Sequence, residues 1–164
     1  MSAVQTEATA PPNARLVAFA RAGAVASIVL ILDQVTKHTL AAGIAPGEQR
    51  KFLPGVTFVH VRNTGVAFSL FAGGGTLVLV FTLIALAVLI GFLALRPGRR
   101  WLWLPTGLLI GGALGNLIDR VASGAVTDFI KLPLWPAFNA ADMAITFGVV
   151  ALLLMLESGR KDER

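Results

Sequence analysis

Cysteine is absent from this 164-residue chain, and histidine occurs only twice, at His38 and His60. The first absence excludes disulfides, thiolate zinc sites, iron-sulfur clusters and a cysteine nucleophile together. The second excludes an all-histidine metal site. Neither histidine stands near a carboxylate motif that would complete a triad, and Ser27, Ser69, Ser123 and Ser158 lack a G-x-S-x-G elbow. Both histidines are expected at boundaries or on the surface. Charge is scarce too, at 14% of residues. Lys and Arg outnumber Asp and Glu by 14 to 9, but the basic residues sit between apolar runs rather than in an aromatic-laced patch, so nucleic acid is excluded as a partner. Chemistry must come from carboxylates, hydroxyls, Lys, Arg or an imported cofactor.

Hydrophobic residues are what the chain has in abundance. At 55% of the sequence, with a mean hydropathy of +0.76, they place it far from soluble domains of this length. The expected fold is a mainly α membrane protein. Residues 1–14 are small, polar and proline-containing, and read as a disordered cytoplasmic tail. The run that follows is not a cleavable signal peptide, because three more hydrophobic segments come after it. Spans are expected at 16–39, 76–95, 102–121 and 138–156, each near the roughly 20 residues that cross the hydrocarbon core. They make one transmembrane unit over 15–157, with a cytoplasmic tail at 158–164.

The second and third spans are joined by "RPGRR", where Pro97 and Gly98 break the helix. Three arginines in so short a loop set orientation, so both termini are expected in the cytoplasm. The longer connections then face outward. In the first of them, "VTFVHV" (56–61) lies between Pro54-Gly55 and Asn63-Thr64-Gly65, the pattern of one or two short strands bounded by turns.

Polar residues interrupt these spans at one level. In the third, Gly107, Gly111 and Gly115 form a small-xxx-small stripe for close helix approach, and Asp119 continues it. At about 1.5 Å per residue, Asn116 lies about 21 Å along the third helix, and Asp142 lies about 21 Å from the far end of the fourth. The same rise brings Asp33, Gln34 and Lys37 towards that boundary. Asp33 and Lys37, spaced i,i+4, suit a structural ion pair. A carboxylate near hydrocarbon costs about 2.5 kcal/mol or more at the bilayer centre, so such groups face the bundle interior and act there. Two acids brought close share a proton, which is the arrangement of aspartic proteases. Asp119, Asp128 and Asp142 are all candidates for the pair, and neither period nor depth chooses among them.

Four ordered motifs carry a resemblance over roughly residues 20 to 156: "DQVTK" (33–37), "VRNTGVAFSLF" (61–71), "GGALGNLIDRVASGAVTDFI" (111–130) and "FNAADMAITFG" (138–148). Together they resemble lipoprotein signal peptidase, or signal peptidase II. The resemblance implies an aspartic endopeptidase whose dyad is Asp128 and Asp142. It gives Asn116, Arg120 and Asn139 supporting or substrate-holding roles, Asn63 and the adjoining Gly65 a substrate-binding segment, and Asp33 and Lys37 a supporting role.

It further implies a four-transmembrane-helix bundle with a small extracytoplasmic β-cradle and a short interfacial helix. The segment "FIKLPLWPAFNAA" (129–141) is short for the family and holds two prolines, so that outer helix is expected to be reduced. The implied substrate is a diacylglyceryl-modified bacterial prolipoprotein, cut on the amino side of its lipidated cysteine. The site would lie near the outer face of the cytoplasmic (inner) membrane, use no metal or other cofactor, belong to a monomer in contact with membrane lipid, and accept globomycin-type cyclic peptide inhibitors. Two other functions are weighed. A carrier using the same acids would show an internal repeat with broken helices, which the two halves lack; an assembly factor would use only the glycine stripe.

Overall fold

The computed structural model describes residues 13–65, 74–99 and 101–161. Among them are four long helices and three strands: α1 (Ala14–Gly43), β1 (Gln49–Leu53), β2 (Val56–Asn63), α2 (Gly74–Leu95), α3 (Trp103–Ser123), β3 (Val126–Lys131) and α4 (Ala140–Lys161). The expected tail at 1–14 lies outside the described residues up to 12, and helix already begins at Ala14. The expected tail at 158–164 is helical as far as Lys161.

Parts of α1, α2 and α4 are long and apolar enough to cross a membrane: Ala14–Leu40, Leu77–Leu95 and Ala140–Ser158. Four such spans were expected, and α3 is the exception. Asn116, Asp119 and Arg120 interrupt it, and four glycines dilute its hydropathy. It is nonetheless the centre of the bundle, with Pro105, Thr106, Leu109 and Asn116 all buried.

Small residues explain how α3 comes to sit there. A Cβ on Gly107 or Gly111 would lie 2.7 Å from the backbone oxygens of Ala22 and Ala26 on α1, and one on Gly112 would lie 2.6 Å from the Ala141 oxygen on α4. Helices at that separation gain van der Waals contact that larger residues forbid. α1 answers with Ala18, Ala22 and Ala26, all buried, while Leu16, Ile28, Ile31 and Leu32 point outward. Small side chains inside and large apolar ones outside is the distribution expected when the surrounding solvent is lipid.

The strands form one antiparallel sheet in the order β1-β2-β3. Pro54-Gly55 closes the first hairpin, with Gly55 at φ 81° supplying the left-handed position of the turn. β3 is an addition to the expected strands, since the sequence places Asp128 in a loop between two spans. It pairs with β2 in a register that sets Val61 against Asp128 and Asn63 against Val126. Arg62 ties this sheet to α3 by donating to the Ser123 carbonyl at 2.6 Å, a cation at a helix C-terminus. His60 is half-buried and bonds the Ile44 carbonyl at 2.9 Å, and His38 is exposed.

Between β3 and α4, residues 132–139 form turns and a single bridge, Ile130 to Phe138, with no helix. The expected fourth span therefore starts late, at Ala140 rather than 138. Pro136 cannot donate within a helix, and Asn139 is used as its cap. Residues 66–71 of the "VRNTGVAFSLF" motif lie outside the described residues.

Candidate active site

Asp128 is placed by a strand and Asp142 by a helix start. Alternation along β2 puts Asn63 on the same face as Val61, so it is the diagonal neighbour of Asp128. Its Nδ2 donates to Asp128 Oδ2 at 2.9 Å. The backbone N–H of Gly65, at φ 73°, donates to Asn63 Oδ1 at 2.9 Å, so an Asx turn fixes which end of the amide faces the acid.

Asp142 stands third in α4, and with Asn139 it forms a capping box. The Asp142 N–H donates to Asn139 Oδ1 at 2.9 Å, and the Asn139 N–H donates to Asp142 Oδ2 at 3.2 Å. The amide nitrogen of Asn139 remains available and donates to Asp128 Oδ1 at 2.9 Å and to Asn116 Oδ1 at 3.1 Å. Asn116 in turn donates to Asp142 Oδ1 at 2.8 Å. Two asparagines thus connect the two acids, and their direct partners are neutral amides.

The remaining acids are held differently. Lys37 Nζ lies 2.7 Å from Asp33 Oδ2, 3.1 Å from Asp119 Oδ2 and 3.1 Å from Asn116 Oδ1. Asp33 and Lys37 are buried. Asp33 Oδ1 accepts the Ala141 N–H at 2.9 Å, which satisfies one of the donors a helix start leaves without a partner. Asp119 accepts the Thr127 N–H at 3.0 Å and the Gln34 amide at 3.2 Å. It therefore anchors the start of β3. Sequence reasoning left its role open and gave Gln34 none, because both roles depend on partners brought in from other segments: the Thr127 N–H for Asp119, and the Gly115 carbonyl and Asp119 carboxylate for Gln34.

Arg120 stands one turn beyond Asn116 and donates to its carbonyl at 3.2 Å. With Asn116 it closes one end of a groove of about 530 Å³ between α2, α3 and α4, lined by apolar residues such as Phe81, Leu86, Ile145 and Val149. The site so built is one lysine among four aspartates. Asp128, 1% exposed, has its carboxyl pushed up to about 6, chiefly by burial and further by the charge of Asp142. The bonds from Asn63 and Asn139 and the more distant Lys37 charge oppose the shift.

Apolar helices around four aspartates, Asp33 and Asp128 buried and Asp119 and Asp142 half-buried, are the setting of a membrane enzyme of the aspartic peptidase class, and the comparisons place the chain there. The family model of signal peptidase (SPase) II matches residues 25–157, and the chain belongs to that family. It is 41% identical over 143 residues to the lipoprotein signal peptidase of Moorella thermoacetica, covering 84% of this chain and 94% of that one. It is 40% identical over 139 residues to the lipoprotein signal peptidase of Syntrophomonas wolfei, covering 84% and 93%. Two solved structures, described as bacterial membrane enzymes obtained by the in meso method at 1.9 and 2.3 Å resolution, share the fold. The first is 32% identical with a TM-score of 0.76, covering 84% of this chain and 92% of its own. The second is 30% identical with a TM-score of 0.78, covering 88% and 92%.

Proposed function

We propose that Asp128 and Asp142 act as one catalytic pair that removes signal peptides from prolipoproteins. The observation that carries this reading is the side chain of Asn139, which bonds Asp128 through its nitrogen and caps the helix at Asp142 through its oxygen. A single amide thereby sets the position of both acids.

Protonated Asp128 donates to the carbonyl oxygen of the scissile bond. Asp142, its charge at the N-terminus of α4 where the helix dipole favours an anion, takes a proton from water as the water oxygen attacks the carbonyl carbon. When the intermediate collapses, the C–N bond breaks and the leaving amine takes the proton from Asp142. One hydroxyl of the intermediate returns a proton to Asp128. Asn116, Asn139, Asp33 and Lys37 hold the acids in place, while Asn63, Gly65 and Arg120 border the space the substrate backbone enters.

The substrate is a diacylglyceryl-modified prolipoprotein, cleaved on the amino side of the lipidated cysteine. Its apolar portion lies in the groove beneath Arg120, and a globomycin-type cyclic peptide competes for the same place. All four helices cross the bacterial inner membrane. α3 does so despite its polar residues, because they turn towards the bundle interior rather than to lipid. The termini are cytoplasmic and the acids lie near the outer face. Residues 15–157 supply the whole site within one chain, so a monomer suffices.

The test uses purified protein in detergent with a lipidated prolipoprotein, read by gel shift. Asp128→Asn and Asp142→Asn should each lower turnover by at least about 100-fold, the scale of a lost acid or base, with unchanged circular dichroism. Normal cleavage by either variant would overturn the pair.

A further inference from the structure

The end of the bundle opposite the acids carries a second groove, of about 560 Å³, between the start of α1 and the turn before α3. Its walls combine Val17 and Ala18 with two arginines, Arg21 and Arg99, and two tryptophans, Trp101 and Trp103, and among the described residues no carboxylate lines it. We propose that it binds the phosphate headgroup of an anionic phospholipid.

Each of the two arginines that line the groove is held by one contact. The Arg21 guanidinium stacks 5.8 Å from the Trp103 ring centroid, a cation–π distance. Arg99 donates to the Met155 carbonyl at 2.8 Å, which uses one of its five N–H donors. The two indoles lie 5.7 Å apart, and Trp101 presents its ring from a backbone with φ 66°. That left-handed conformation is costly for a bulky residue, and strain of this kind accumulates where a side chain is held for a ligand.

The occupant is a lipid rather than a free anion. The groove lies at helix ends that carry exposed apolar residues: Leu16, next in sequence to its wall residue Val17, and Leu95, the last residue of α2, are 72% and 80% exposed, positions that acyl chains cover in a bilayer. Tryptophan and arginine together are the side chains suited to headgroup depth, the ring in the apolar edge and the guanidinium at phosphate. A groove of this volume lies within the range of specific small-ligand sites, and its charge excludes preference for a cationic or neutral headgroup.

The experiment uses full-length Trp135→Phe protein in an uncharged detergent. The chain has three tryptophans, so this leaves emission from Trp101 and Trp103 alone. Short-chain phosphatidylglycerol should change that emission saturably, and phosphatidylcholine of the same chain length should bind at least tenfold more weakly. Inorganic phosphate should have no effect at equal concentration and ionic strength. Arg21→Gln should weaken phosphatidylglycerol binding about fivefold, the usual contribution of one basic residue at a membrane surface, and Arg21→Lys should retain most of it. Arg99→Gln gives an independent variant with the same expected direction. Equal binding of the two lipids, a matching response to inorganic phosphate, or undiminished binding by both glutamine variants would each overturn the proposal.

Discussion

Asp128 and Asp119 are nine residues apart, and the contrast between their partners bears directly on reactivity. Asp119 faces Lys37 and a backbone N–H, so it holds structure together. Asp128 has amide partners, a neighbouring acid and almost no solvent, and its carboxyl is raised to about 6. Because the folded value lies above the ordinary 3.8, the group binds its proton more tightly in the native state. Its stabilising effect is fully present below about pH 4 and is lost as pH rises through about 6. In the proposed mechanism the same proton is the donor to the scissile carbonyl, so kcat/KM for cleavage should fall as pH rises through about 6. Asn63 favours the charged form through its hydrogen bond. Asn63→Ala should therefore move that descending limb to higher pH while lowering its plateau; a limb that stays in place would separate the profile from Asp128. Every member of this group was visible in the sequence as a polar residue in apolar surroundings. Period and depth left the proposed pair open and only the resemblance chose it, because the contacts around Asp128 depend on its diagonal neighbour Asn63, 65 residues away, and on the Asn139 amide that reaches it from the cap of α4.

Helix packing was more legible than the sheet. The spacing of Gly107, Gly111 and Gly115 identified a close-approach face, and α1 packs against it. β3 escaped notice because six residues directly after a helix carry little pattern of their own, and they become a strand only when β2 is present to pair with them. Two glycines of that stripe separate packing from chemistry. A Cβ on Gly111 meets backbone, the Ala26 oxygen at 2.7 Å, whereas a Cβ on Gly115 meets the Asp33 carboxylate at 2.5 Å. Gly111→Ala should destabilise the bundle by about 1–3 kcal/mol, the usual range for overpacking, and lower activity only through that loss. Gly115→Ala displaces the group that holds the Ala141 N–H, one residue before Asp142. Its turnover should therefore fall further than Gly111→Ala at matched stability. Thermal unfolding in detergent alongside initial rates measures both, and equal activity losses at equal stability would show that Asp33 does not position the acid.

At the scale of the whole molecule, sidedness is the property on which the chemistry depends. The acids, the sheet and the exposed turn at Leu134 and Trp135 share one end of the bundle, and the arginine-bearing turn and the end of α4 share the other. Hydropathy marks α1, α2 and α4, but not α3 or its central place, since its glycines and polar residues lower the hydropathy that marks a span. In the proposed orientation the arginine-rich end faces the cytoplasm, as positive charge beside short loops favours. That places Leu134, at 105% relative exposure, outside the cell membrane and Ser158 inside. The native chain has no cysteine, so a single introduced thiol reports its own side without background. In intact cells, or spheroplasts where an outer membrane is present, Leu134→Cys should react with a membrane-impermeant maleimide at once. Ser158→Cys should react only after the membrane is permeabilised. The reverse pattern would invert the bundle and place the aspartates on the cytoplasmic side, where no translocated prolipoprotein could reach them.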